Sequence, residues 1–575
     1  MRRSTAAVVV VTLAAGGTAG AVAPRTGLAE AAVAPRVSQL DCSGALTYES
    51  RPADLTDADG TLFFTAYDTS LDPTMWSTDG TRAGTFWLND LSGEERRYTS
   101  YSTLEAVGST MFFTADGFDR SGALSGTDLW RSDGTKEGTA VVKHYTGIGE
   151  MADVEGSLLF VARDRSGHVA LRRTDGTKAG TSMVKDFGAH PAHGPDHLTT
   201  VGDRLYFSFD DGVHGRELWT SDGTEAGTVM VQDIAPGGPG SYPVHLTEVG
   251  DEIFFWADDG VHGLEPWASD GTETGTHLVR DIGTGDFGSS TYSQVAVGDT
   301  LYFSAVGDDD ALVDLWRSDG TPEGTTVIKQ MGSRPDYDEE RFDLATAGGL
   351  VFFGPNDADH GREVWRTDGT AEGTVLVKDI GADPYGSDPQ AFTAVGDEVY
   401  FVAAGRLWRS DGTGAGTVPV PGLPTMTAHR PYDLTASGDK IYFGFDDGVH
   451  GSEVWVSDGT APGTHLVRDV NRRVDWDVSS KPRPNPRSTA ALFAASFDSP
   501  GRLAVRPALA GGVRRSSRTI DGAAPIDTTL RLALTKRAKR KLLRTGQVTI
   551  GARFTFHSCT GVVSGYERAY TLKAR

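Results

Sequence analysis

Between Gly60 and Val470 the apolar residues fall in short continuous runs such as Leu205-Tyr206-Phe207 and Glu217-Leu218-Trp219, broken by turns rich in Gly and Asp. No window in this region repeats its apolar positions at the 3.6-residue period of a helix, so the runs read as strands. The stretch from Gly202 to Ile234 shows the unit. A first strand precedes a Gly-Asp turn, a second runs through Leu205–Phe207, a third through Glu217–Trp219, and a fourth through Val229–Ile234. Because the runs are continuous rather than alternating, both faces of each small sheet are expected to be covered, as neighbouring blades cover one another in a propeller.

The unit recurs nine times. The sequence DGTxxGT places its Asp at Asp79, Asp133, Asp175, Asp222, Asp270, Asp319, Asp368, Asp411 and Asp458, in steps of 54, 42, 47, 48, 49, 49, 43 and 47 residues. A period near 48 with strand content predicts a propeller or a solenoid. Nine blades strain the usual four to eight. A closed nine-bladed ring is therefore the first expectation, ahead of an eight-bladed ring with one copy outside it and of an open array. Trp stands three residues before the Asp in every copy but the third, which has Arg172. One large aromatic per repeat reads as a packing wedge, with a ring of stacking platforms for sugars as the alternative. In the fourth copy the repeat residues are Trp219, Asp222, Gly223, Thr224, Gly227 and Thr228. They form turn grammar: Asp accepts backbone N–H groups two residues on, Gly supplies positive φ, and Thr opens the next strand.

The segments ELWTSDGTEAGT, EVWRTDGTAEGT and EVWVSDGTAPGT resemble the ELWxxDGT repeat of secreted bacterial proteins, over about residues 55–470. The resemblance implies extracellular, β-propeller-like repeats without an established activity.

The ends differ from the middle. Residues 1–31 read as a signal peptide, with Arg2 and Arg3 before the apolar stretch Ala6–Ala15 and a cleavage site at Ala29-Glu30-Ala31. No later segment reads as a transmembrane helix, so a secreted or extracellular place, with association to the cell envelope, is expected. The propeller is assigned to 41–470, a Pro/Arg/Ser-rich linker to 471–501, and a small basic β-sandwich-like domain to 502–575. The two cysteines, Cys42 and Cys559, form a candidate disulfide across the mature chain.

The formal charge of −24 is unevenly held: residues from 471 on carry 21 Lys+Arg against 6 Asp+Glu, leaving 33 against 72 before them. The basic run Lys536, Arg537, Lys539, Arg540, Lys541 and Arg544 is a candidate contact for an anionic envelope polymer, or simply a solvated helix face. Nucleic acid is not expected, since the chain reads as exported and no aromatics interleave with the run. In the acidic ring, Asp210, Asp211, Asp258, Asp259, Asp446 and Asp447, with Asp57 and Asp59, are candidate calcium ligands, although no copy has a full calcium-loop pattern. His214, His262, His360 and His450 recur at one loop position, a structural pattern. His190, His193 and His197 lie close together in a Pro/Gly loop that offers no fixed metal geometry. There is no GxSxG elbow, HExxH or phosphate-binding loop. The preferred expectation is a monomeric, non-enzymatic binding protein whose rim loops meet an extracellular glycan or protein. A polysaccharide hydrolase or lyase and a calcium-stabilised structural protein are the alternatives.

Overall fold

In the computed structural model the nine copies form nine four-stranded antiparallel sheets, the blades of a β-propeller, each with its strands in sequence order. The structure describes residues 50–470 apart from short internal stretches, and beyond 470 chiefly the strands and one helix within 476–573. The expected signal peptide, Cys42 and Cys559 lie outside the described residues.

Blade 4 is representative. Its strands are Asp196–Val201, Arg204–Asp210, Arg216–Ser221 and Val229–Met230. The second and third strands pair so that Phe207 lies opposite Trp219, with ring centroids 6.4 Å apart and planes inclined by 22°. The same pairing stacks Phe64 on Trp76, Phe113 on Trp130 and Phe303 on Trp316. First strands line up around the axis. Each touches the first strand of the next blade, and Tyr432–Ser437 of blade 9 touches Ala53–Ala58 of blade 1. The ring is therefore closed with nine blades, and neither the eight-bladed ring nor the open array forms.

The apolar core lies between the blades. Nine clusters of buried side chains occupy the nine seams. In eight of them the Trp of the following blade is a member, so the indole sits between sheets. The seam between blades 2 and 3 has none, because Arg172 replaces it.

A polar tie repeats at five of the nine seams. The cation at the end of a blade's fourth strand donates to the carbonyl of the last Thr in the next blade's DGTxxGT turn: Lys185 to Thr228 at 3.2 Å, Arg280 to Thr325 at 2.6 Å, Lys329 to Thr374 at 3.2 Å and Lys378 to Thr417 at 2.8 Å. Ring closure uses the same device, Arg468 to Thr85 at 2.6 Å. It adds Ser50 N to Ser452 O at 3.1 Å and Thr435 Oγ1 to Leu55 O at 3.1 Å. No strand is exchanged between the ends, since blade 1 and blade 9 are each built from one copy. Closure rests on the same packing as every other seam.

The connection between blades is pinned from beneath by a buried glutamate, the first residue of ELW. Glu217 is fully buried. It accepts hydrogen bonds from Ile234 N at 3.2 Å, Ser241 N at 3.0 Å and Ser241 Oγ at 2.5 Å. Glu265 holds Ile282, Gly283 and Ser289 in the same way, and Glu363 holds Gly381 and Ser387. Burial pushes Glu217 and Glu265 above the ordinary glutamate range, against the pull of those hydrogen bonds. The returning chain passes so close to the third strand that only glycine fits. At Gly240, φ is +106° and a Cβ would lie 2.1 Å from the Arg216 amide nitrogen.

After residue 470 the chain forms two further sheets and a helix. The reading of 471–501 as linker is corrected in part. Ala490–Phe497 is a strand, paired along its length with Ile526–Ala533. Its apolar sequence outweighs the Pro-rich residues before it.

Glu217→Ala is expected to lower stability by about 3 kcal/mol, because buried donors lose their acceptor. Glu225→Ala, on the exposed turn, should leave the thermal midpoint unchanged. Paired melting curves of the two variants check this.

Candidate functional site

The conserved-looking turn is self-contained. Asp222 Oδ1 accepts from Thr224 N at 2.9 Å and Thr224 Oγ1 at 2.7 Å, and Thr224 Oγ1 in turn accepts from Gly227 N at 3.0 Å. Beneath it Ser221 Oγ and Thr228 Oγ1 meet at 2.8 Å. Every copy repeats this arrangement. The Thr hydroxyl and amide hold Asp222 below the ordinary carboxylate range, as they do at Asp133, Asp175, Asp270, Asp319, Asp368, Asp411 and Asp458. The turn's Asp and Thr side chains are bonded within the turn, and the Thr228 carbonyl is taken by Lys185 of the preceding blade, which leaves Asp222, Gly223, Thr224, Gly227 and Thr228 as framework, with Trp219 packed in the seam.

The acidic hairpin loops behave alike. Asp210 Oδ1 accepts from Gly212 N at 2.8 Å, and Asp211 accepts from Val213 N at 2.8 Å and His214 N at 2.9 Å. The other Asp211 oxygen meets His214 Nδ1 at 2.8 Å. Asp258, Asp259 and His262 repeat this in blade 5, Asp446, Asp447 and His450 in blade 9, and Asp357 with His360 in blade 7. The candidate calcium ligands thus stand in pairs on separate blades, their oxygens turned to their own loops. Asp57 accepts from Gly60 N and from Ser437 across the ring closure. Among the described residues no three or more His, Cys, Asp or Glu side chains gather as a metal site. His190 and His193 lie outside the described residues. Hydrogen bonding to its Asp raises the pKa of His214, His262 and His360. At Asp211 and Asp259 burial pushes upward, but the His and backbone hydrogen bonds hold each below its ordinary value.

Where a copy departs from the unit, space opens. Blade 8 lacks the acidic loop. Ala403 pairs directly with Arg406, and Ala404 and Gly405 turn the chain with φ of +48° and +72°, a tight primed hairpin. A cleft of about 800 Å³ lies beside this hairpin, between blades 8 and 9. Leu407, Leu423, Phe445 and several prolines line it, with Asp388, Arg406 and Arg430. Asp388 is engaged by Gln390 at 2.5 Å, by Arg362 at 3.6 Å and by Arg430 at 3.8 Å. Among the described residues Arg406 makes no ion pair. In the sequence the eighth copy has only Ala403 to Arg406 where other copies carry a longer hairpin loop, but the cleft this leaves is set by how blades 8 and 9 pack.

The basic run forms the helix Lys536–Thr545, capped by Thr535 Oγ1 accepting from Ala538 N at 3.2 Å. Ala538 and Leu542 are buried, while Lys536, Arg537, Arg540, Lys541 and Arg544 are exposed and Lys539 is half-buried. Like charges four residues apart disfavour such a helix, so packing of its apolar side against the strand Gln547–Ser558 holds it. No helix among the described residues is long and apolar enough to cross a membrane.

No family model matches the chain, and no curated protein matches it. Solved structures similar to it include a puromycin hydrolase, 14% identical with a TM-score of 0.33, over 61% of this chain and 58% of that one. Prolyl endopeptidases match at 12% identity and 0.35, over 70% and 55%. The β-propeller domain of the Trilobed protease from Pyrococcus furiosus matches at 11% and 0.34, over 66% and 100%. This chain therefore spans little more than half the length of the puromycin hydrolase. At this distance the likeness is one of fold alone. The similar structures include hydrolases and peptidases, and the expectation of a non-enzymatic binding protein is set aside. A ring of repeats is no ground for a non-enzymatic role, since fold does not fix function.

Two outcomes are expected. The turn aspartates have depressed folded-state values, so their contribution is present above about pH 4 and is lost as pH falls through those values. Thermal midpoints should fall steeply below pH 4, and Asp222→Ala should blunt that fall slightly. Because the loop oxygens are occupied by backbone donors, excess EDTA should leave the thermal midpoint unchanged.

Proposed function

We propose that the chain is an exported propeller protein of the ELWxxDGT repeat kind whose working site is the cleft between blades 8 and 9. The ligand or substrate is a compact molecule with an apolar body and an acidic end. The observation that carries this reading is the shortened hairpin of blade 8: where blades 4, 5, 7 and 9 carry an acidic loop, its absence leaves a hollow with apolar walls. Pockets with apolar walls and a few convergent polar groups are the usual places for small molecules. Leu407, Leu423 and Phe445 support the apolar body. Arg406 supplies the charge for the acidic end, because Asp388 is already taken by its neighbours. The exposed cations of the helix Lys536–Thr545 support retention on an anionic envelope polymer.

Calorimetric titration of phenylalkanoic acids against their primary amides tests the cleft. The acids should bind at least tenfold more tightly than the amides. Arg406→Ala should remove that difference, and grafting the DDGVHG loop into blade 8 should abolish binding of both. Equal binding of acid and amide, or binding untouched by the graft, would exclude this site.

A further inference from the structure

The seam between blades 2 and 3 lacks the wedge Trp of the other eight, and its cation lacks the carbonyl tie that five of them make. Arg172 lies opposite Phe160 across the strands, as Trp219 lies opposite Phe207 in blade 4. A guanidinium thus occupies the place of the wedge indole. It is nine-tenths buried, and its Nε has no hydrogen-bond partner.

The second departure is the seam cation. Lys143 lies opposite Leu129, as Lys185 lies opposite Leu171 and Lys329 opposite Leu315. Lys185, Lys329 and their counterparts at three other described seams bond a Thr carbonyl of the next blade. Lys143 makes no such bond to Thr181. At the seam between blades 6 and 7 the cation Lys329 also lies 4.6 Å from the Trp365 ring. Lys143 has no Trp to meet. Instead Lys143 and Arg172 share one aromatic ring, that of the buried Tyr145, at 5.8 and 5.0 Å from its centroid. Lys178, on the turn of blade 3, and Arg165, on its hairpin, bring two further cations to the same place. Burial, then the charges of Arg172 and Lys178, hold Lys143 below the ordinary lysine range.

These groups line a cavity of about 750 Å³. The carboxylates nearby are committed elsewhere. Asp164 accepts from Ser166 and His168, and Asp128 meets His144 at 2.7 Å. Among the described residues none pairs with Lys143, Arg172 or Lys178. Like charges held together without a counter-ion destabilise a fold, and here they are gathered on a ring whose surplus is acidic.

We propose that the cavity between blades 2 and 3 is an oxyanion site, taking the sulfate or phosphate group of a small organic ester. Arg172 presents its planar fork to the oxyanion, as guanidinium groups do, and Lys143 and Lys178 supply point charges on either side. The volume exceeds that of a bare ion and admits a body the size of a sugar.

The test uses the full-length protein and titrates sodium sulfate, sodium phosphate, glucose 6-sulfate and glucose 6-phosphate, with sodium chloride matched in ionic strength. Binding is read by calorimetry and by thermal midpoint. At least one ester should bind and raise the midpoint beyond the chloride control. The ester that binds more tightly identifies the source of the group. Arg172→Trp, which restores the repeat residue, and Lys143→Met should each weaken binding at least tenfold. In anion-free buffer both should melt no lower than the parent, because the like-charge contact is relieved. Lys136→Ala, on the neighbouring turn, should bind as the parent does. A chloride shift equal to the ester shift, or undiminished binding by Arg172→Trp, would overturn the proposal.

Discussion

A four-stranded sheet of this chain cannot stand alone, because both of its faces are apolar. Everything else follows from the seam that covers them. The seam between blades 3 and 4 shows the parts: a Phe–Trp stack from one blade, the apolar face of the blade before it, and a cation reaching to a Thr carbonyl, a tie that recurs at four further seams. The arrangement is local and repeats, so it fixes the rotation from one blade to the next. Nine such rotations bring the last blade against the first. The ring then closes by the same contacts, with Arg468 on Thr85 as Lys185 is on Thr228.

This uniformity explains why the functional features lie where the copies differ. The turns and loops that repeat have their polar groups satisfied internally: Asp222 by its Thr, Asp211 by its His, Glu217 by the returning chain. They have little left to offer a ligand. A deletion in blade 8 removes a loop without disturbing its seam, and a substitution in blade 3 replaces the wedge without breaking the ring. A rigid frame converts each such change into a cavity with defined walls, since packed interiors do not flow to fill a void.

The charge distribution has the same logic. The acidic surplus lies in exposed turns, where carboxylates bond backbone amides and remain solvated. Cations of the ring are used at the seams, where their stems pack on Trp and their heads reach carbonyls. Lys143 shows what happens when that partner is absent, and Arg406 what happens when a cation is left beside a hollow.

The repeat count, the strand order within a blade, the turn chemistry and the place of the Trp were legible in the sequence, because each depends on residues close together in one copy and is written nine times. The Arg172 substitution and the short hairpin at Ala403–Arg406 were visible as departures. What they meant was not. Closure, the partners of Lys185 and Arg468, the burial of Glu217 and the cavities at two seams depend on residues a full repeat or more apart, and Arg468 and Thr85 lie at opposite ends of the ring sequence. The strand Ala490–Phe497 was missed for the same reason: its partner, Ile526–Ala533, is distant, and local composition spoke for a linker. Local sequence specifies a blade, but only the packing of one blade on another decides which side chains are spent on the fold and which remain free for a ligand.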